Sequence, residues 1–328
     1  MTLTTAAQSQ AVSPLPRESA ACALCGSWER TPIGAYHDRL AVDPAAFELV
    51  RCSPCGHVQV DPRPADMGPF YPSGYWSAPG KPQGIAVLEQ AYRESLVRRE
   101  LRRVQRLVRP GGKLLDVGCG TGDFLDIARR AGFQVTGVEF AGPAAEYARD
   151  QRGLDVRLGT LREANLPEAT YDAVTLWHVL EHVPDPVTTL QDVLRMLVPV
   201  GVLVVQVPNF GSLQAQIFKS RWYGLDVPRH LHHFTPASLA EAMQRAGIAL
   251  ARPIDHQSFR YNPVILVSSL FPSLEPHTFA KRALEGRSQA AAKAFYLGMT
   301  WVAAPWAAFE GLLGRGAVIT AAGRRQGD

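Results

Sequence analysis

The run Asp116-Val117-Gly118-Cys119-Gly120-Thr121-Gly122 constrains this chain more than any other feature. The preceding KLLDVGC reads as a buried strand and the following FLDIARRAG as a helix. The glycines between them allow a tight turn that brings helix N-terminal amides close to a ligand. The alternation continues along the chain. QVTGVEF, LDVRLGT, YDAVTLWHV and GVLVVQVPN read as strands, with helices over 143–152 and 186–197, and GAVITAAGRR reads as a final strand. Short strands rich in Val and Leu, separated by helices, predict an α/β fold: a doubly wound, mostly parallel sheet covered on both faces. A helical period is predicted over 85–108, stopped by Pro110-Gly111-Gly112. Thr235 predicts the cap of a helix over 236–247.

The 328 residues are 46% hydrophobic, enough for one α/β domain and a smaller appendage. Residues 1–20, poor in large apolar groups, are expected to be a disordered tail. Residues 21–84 are expected to hold a zinc-binding module and a linker laid on the main domain by Phe70, Tyr71, Tyr75 and Trp76. Residues 85–328 form the main domain, with a substrate-side insertion at 211–235 and an apolar helical segment at 263–312. Four of the five cysteines make two CxxCG pairs, Cys22/Cys25 and Cys52/Cys55. Such pairs suggest metal ligation in a reducing compartment. Four thiolates give Zn²⁺ a closed, structural, tetrahedral site. Cys119 reads as a small buried residue. The first residues lack the basic start and apolar core of a secretory leader, so a cytoplasmic location is expected. A net charge of +4 is low for a dedicated nucleic-acid binder.

The glycine turn narrows the ligand. Asp116 at its head would repel a pyrophosphate, and Glu139, ending the next strand, can grip both hydroxyls of a ribose. A ligand with a ribose, a positive charge and no phosphate fits, and S-adenosylmethionine is one. The segments LLDVGCGTGDFL, VTGVE, YDAVTLWHVLEHVPDP and LVPVGVLVVQVPN, in this order and spacing, closely resemble the class I S-adenosylmethionine-dependent methyltransferases over roughly residues 85–250. The resemblance implies a Rossmann-like seven-stranded sheet whose last strand is antiparallel. It implies that Asp116, Gly118 and Gly120 line the methionine part of the cofactor, with Cys119 in the same cofactor-binding loop. Glu139, with Phe140 beside it, would hold the ribose, Thr160 and Leu161 would flank the adenine, and Trp177 and His178 would close over the sulfonium. The family commonly carries Asp where this chain has Thr160. The pattern CALCG…VRCSPCGHVQVDPRP resembles the zinc-ribbon-like segment of a bacterial methyltransferase group associated with sugar and secondary-metabolite chemistry.

Two histidine clusters, one with His178 and one with His230 and His232, compete for the base role. His178, Glu181 and His182 share one face if their segment is helical. They resemble positions that hold a divalent metal in some ubiquinone-pathway O-methyltransferases, although His178 stands where those have a carboxylate. The second cluster is Pro228-Arg229-His230-Leu231-His232-His233, in which His230 or His232 is the preferred general base, with packing of the following helix as the plain alternative. Arg221, Trp222, Tyr223 and Arg229 could line an acceptor pocket. WHVLEH after the fourth strand differs from the Asn/Asp-Pro-Pro-aromatic tetrapeptide of amino-methylating DNA enzymes, and no cysteine after Cys119 is available for a pyrimidine adduct. The arginines from Arg93 to Arg109 read as a solvated face. The apolar stretch 295–313, interrupted by Pro305, is short for a membrane span. It is expected to form paired helices over the cleft or at a dimer contact, with membrane-surface attachment a lesser option. The chain is thus expected to methylate a small molecule, foremost a hydroxyl of a sugar or secondary metabolite. Carbon or nitrogen acceptors, an RNA acceptor and a non-catalytic adaptor remain as alternatives. No DNA partner is expected.

Overall fold

The computed structural model describes residues 14–71, 85–109, 111–275 and 290–327. The N-terminal part holds β1 (Arg17–Glu18), β2 (Arg30–Tyr36), β3 (Phe47–Cys52), β4 (Val58–Val60) and β5 (Arg63–Pro64). The main part begins with α1 (Ile85–Gln105), followed by β6 (Lys113–Val117), α2 (Asp123–Arg130), β7 (Gln134–Glu139), α3 (Gly142–Asp150), β8 (Val156–Leu158), β9 (Tyr171–Trp177), α4 (Pro186–Met196) and β10 (Leu197–Pro208). After these come α5 (Leu213–Phe218), β11 (His232–His233), α6 (Pro236–Arg245), β12 (Ile248–Leu250), α7 (Tyr261–Leu270), α8 (Ala290–Leu312) and β13 (Val318–Arg325).

Seven strands form the main sheet in the order β12-β13-β10-β9-β6-β7-β8. β13 runs antiparallel to both of its neighbours and the other pairings are parallel, as the resemblance implies. β6 and β9 are buried along nearly their whole length because helices cover both faces. On one face Val97, Leu101 and Val104 of α1 pack with Phe124, Leu125 and Ile127 of α2. On the other, Leu190 and Val193 of α4 pack with Leu239 and Met243 of α6. Local chemistry sets the helix starts. Asp185 accepts from the Thr188 amide ahead of Pro186, and Thr235 and Ser238 form a reciprocal capping box.

The second sheet differs from expectation. It has four strands, β11-β4-β3-β2, and its fourth strand comes from the 211–235 segment. His232 and His233 pair with Gln59 and Val58, so the N-terminal module and the insertion share one ladder. They also share a core: Phe47, Leu49, Val58 and Val60 pack with Trp222, Leu225 and Val227. Arg229, fully buried, ties the two together. Its guanidinium lies 2.8 Å from Asp38 of the module and 2.6 Å from Asp226. The expected acceptor-pocket roles of Arg229 and Trp222 are therefore corrected, since both side chains are consumed in packing.

The expected tail is also shorter than residues 1–20 where it is described, because β1 pairs with β5. Residues 1–13 lie outside the described residues, as do Tyr75 and Trp76 of the linker and positions 276–289 of the apolar segment. Phe70 is buried edge-on against Phe47. α1 ends at Gln105, short of the expected 108, and α8 runs through Pro305 without a break. Phe295, Trp301, Trp306, Phe309 and Leu312 of α8 are exposed. Among the described residues no helix is long and apolar enough to cross a membrane.

Replacing Arg229 by Met would leave Asp38 and Asp226 buried without their cation. The expected loss is about 3–5 kcal/mol in urea denaturation. A loss below about 1 kcal/mol would show that the ion triad does not hold the module.

Candidate functional site

Two sites emerge, one at the C-terminal ends of β6, β7 and β9, the other at the cysteines. At the first, Gly118 has φ +70°, and a Cβ there would sit 2.4 Å from Val179 Cγ2. Only glycine lets the loop pass under the segment that follows β9. Asp116 is 2% exposed and accepts a 2.6 Å hydrogen bond from Thr175 Oγ1. Burial, and then the charges of Glu100 and Glu139, push its carboxyl up to about 8, against the opposing effects of the Thr175 bond and Arg260. Glu139 is buried and accepts from the Gly120 and Ala141 amides at 2.7 and 2.8 Å, while burial raises its carboxyl above the usual range. Three carboxylates thus gather beside the glycine turn with Arg260 as the near cation, a place that favours a positively charged ligand.

The other expected cofactor residues lie around this turn in different states. Cys119 is buried, and burial raises its thiol, which suits a packing residue. Phe140 is exposed beside Glu139, and Leu161 is buried. Thr160 is turned toward Glu163, whose carboxylate accepts from both its amide and its hydroxyl at 2.8 Å. Trp177 packs on Phe124, and its indole nitrogen is buried without a partner among the described residues.

The expected acceptor side draws on three segments. His178 has φ +57°, an uncommon conformation for a non-glycine residue and one that concentrates at functional sites. Its Nδ1 lies 3.1 Å from Glu181 Oε1, its ring lies 4.1 Å from that of Tyr261, and its Nε2 is buried without a described partner. Glu181 is fully buried. Burial alone would raise it, but the hydrogen bond and charge of His178, with His182 and His230, bring it below the usual range. His182 Nδ1 lies 3.0 Å from the Tyr71 hydroxyl and 2.9 Å from the Arg229 carbonyl. His230 Nδ1 donates to the Gly224 carbonyl at 2.9 Å. Burial and the neighbouring His182 lower the His230 imidazole to about 3. Glu181, His182 and His230 each bring one ligand atom within 4.8 Å of the others, so this donor set could hold a divalent cation.

His232 is separated from that group. It is 4% exposed and its Nδ1 sits 3.0 Å from His57 Nε2, across the β11–β4 ladder. No site role was expected of His57, Glu100, Arg260 or Tyr261, and Tyr71 was expected only to anchor the linker. Only Glu100 carried a signal: it lies four residues from both Leu96 and Val104, placing an acid on the apolar stripe of α1.

The four cysteines converge as expected. Both knuckles close through a glycine amide, Gly26 to Cys22 and Gly56 to Cys52, with φ +74° and +72°. Cys22 and Cys55 sulfurs are 3.5 Å apart, those of Cys25 and Cys52 are 3.4 Å apart, and all four lie within 4.8 Å of one another. Zn–S bonds of about 2.3 Å place tetrahedral sulfurs roughly 3.8 Å apart, so the donor set fits Zn²⁺.

Protein purified without chelator is expected to carry one zinc per chain, and its removal to lower the thermal midpoint. Elemental analysis together with a melting curve checks both. A metal-free chain with an unchanged midpoint would eliminate the zinc assignment.

A family described as "Methyltransferase domain" matches residues 89–252. A ubiquinone biosynthesis O-methyltransferase of Xanthomonas axonopodis pv. citri is 30% identical over 157 residues, covering 44% of this chain and 66% of the relative. That of Maricaulis maris is 31% identical over 166 residues, covering 47% and 64%. The chain thus spans slightly less than two thirds of the length of these relatives. Among solved structures, Haemonchus contortus phosphoethanolamine N-methyltransferase 2 in complex with S-adenosyl-L-methionine matches 70% of this chain and 52% of its own, at 15% identity and a TM-score of 0.49.

Proposed function

Because this chain belongs to the methyltransferase-domain family, we propose that it transfers the methyl group of S-adenosylmethionine to a hydroxyl of a small molecule. A sugar or secondary metabolite is the acceptor class favoured by the sequence pattern. One observation carries the cofactor reading. Asp116, Glu139 and Glu100 crowd the glycine turn, and burial raises the carboxyls of Asp116 and Glu139, with the neighbouring acids adding to the rise at Asp116. A sulfonium and an ammonium supply positive charge to such a cluster. Glu139 keeps lone pairs for the ribose hydroxyls beyond the two amides it already accepts from.

Hydroxyl methylation needs an aligned acceptor and a base. Of the three histidines expected to fill the base role, His178 has the required arrangement. Glu181 fixes its Nδ1 and leaves Nε2 without a described partner, the nucleophile–base–orienter logic applied to an acceptor hydroxyl. His230, lowered to about 3, is a poor proton acceptor, and His232 is engaged by His57. The Glu181–His182–His230 group favours a second reading, in which a bound divalent cation lowers the pKa of the acceptor hydroxyl.

Two outcomes test this. S-adenosylhomocysteine is expected to bind in calorimetry, with affinity rising by up to tenfold per unit as pH approaches 8. Below that pH the ligand's ammonium must displace the proton from Asp116, and above it the affinity levels off. Asp116→Asn should flatten the profile. Wild-type protein that takes up neither S-adenosylmethionine nor S-adenosylhomocysteine would refute the reading. His178→Ala should lower methyl transfer to a panel of phenolic and sugar hydroxyls about 10²–10⁴-fold with cofactor affinity unchanged. Unaltered turnover would remove the base.

A further inference from the structure

Arg260 lies beyond the family match, which ends at residue 252, in the segment between β12 and β13. It immediately precedes α7, and its Nη1 donates to Glu100 Oε2 of α1 at 3.0 Å. The pair is lopsided. The Glu100 side chain is 3% exposed, and its other oxygen, Oε1, is buried without a partner among the described residues. The Arg260 side chain is 24% exposed, and neither Nε nor Nη2 bonds to a described residue. An ion pair built only to fasten α7 to α1 would be expected to use both faces of the guanidinium and both carboxylate oxygens. Here each partner keeps hydrogen-bonding capacity unspent.

The location gives that capacity a ligand. Arg260 stacks over Tyr261 at 4.8 Å, and Tyr261 meets the ring of His178 at the end of β9. The charge of Arg260 is felt at Asp116, and that of Asp123, just after the glycine turn, is felt at Arg260. The arginine and its glutamate therefore stand beside the methionine end of the proposed cofactor. That end is a zwitterion, with a carboxylate and an ammonium on one carbon. It needs a cation and an anion side by side, each with free donors or acceptors.

We propose that Arg260 and Glu100 clamp the amino-acid end of S-adenosylmethionine, Arg260 binding its carboxylate and Glu100 Oε1 accepting from its ammonium. The inference rests on the cofactor reading above and adds two residues to it. It also means that the matched domain does not complete the cofactor site, because the clamp's cation comes from the later segment.

Calorimetry on the full, metal-loaded chain tests the clamp with two ligands: S-adenosylhomocysteine, which carries the amino-acid end, and 5′-deoxy-5′-methylthioadenosine, which lacks it. Arg260→Met is expected to weaken S-adenosylhomocysteine about 10–100-fold, the worth of one or two charge-assisted hydrogen bonds, and to change methylthioadenosine by less than about threefold. Arg260→Lys, which keeps the ion pair with Glu100 and guards against a folding defect, should show a smaller loss in the same ligand only. Equal affinity for S-adenosylhomocysteine in wild type and both variants, or equal losses for both ligands, overturns the clamp. A wild type that binds neither ligand overturns the cofactor reading itself.

Discussion

A carboxylate buried at the end of a central strand is the constraint from which the cleft follows. Asp116 loses its water on folding and recovers one strong hydrogen bond, from Thr175 on the neighbouring strand. That does not offset its desolvation, and its carboxyl rises accordingly. Glu139 and Glu100 stand near enough to make ionisation harder still. A fold that keeps three acids in this position spends stability on holding them, and the expense is intelligible if a cation completes the cluster. The loop is shaped to the same end, with Gly118 passing beneath Val179 where no side chain would fit.

The N-terminal module is joined to the main domain through the segment that precedes α6. Its strand β4 pairs with β11, and the ladder fixes the segment that carries His230. Tyr71, from the same part of the chain, reaches His182. A metal at the four cysteines, far from the chemistry in sequence, would hold the knuckle from which His57 and β4 emerge. Its role would be structural, and what it would brace includes the segment carrying His230.

Six strands of the main sheet and most of its helices were legible because each signal is local: an apolar run, a glycine turn, a period change, a cap; the antiparallel strand came from the family resemblance, and the three-residue β12 carried no signal of its own. The four cysteines were legible too, because their spacing already encodes two knuckles. The acceptor side was not legible in the same way. Arg229 and His232 read as functional because they sit in a dense polar motif, yet the structure buries one between Asp38 and Asp226 and the other against His57. Their partners lie far away in sequence and carry no periodicity. Thr160 was a visible departure from the family pattern, but its satisfaction by Glu163 depends on a turn that only the folded backbone defines.

The sheet's connectivity has a consequence for how the chain can assemble. Among the described residues β12 pairs with β13 alone, and β13, which lies between β12 and β10 in the sheet, follows α7 and α8 in the chain. Until β13 docks, β10 presents a bare, strongly apolar edge, and α6 with β12 has no ladder to join. During synthesis such an intermediate is open to unwanted strand pairing with other chains. A route in which β13 docks last therefore leaves that edge to be guarded until the strand between β12 and β10 is made.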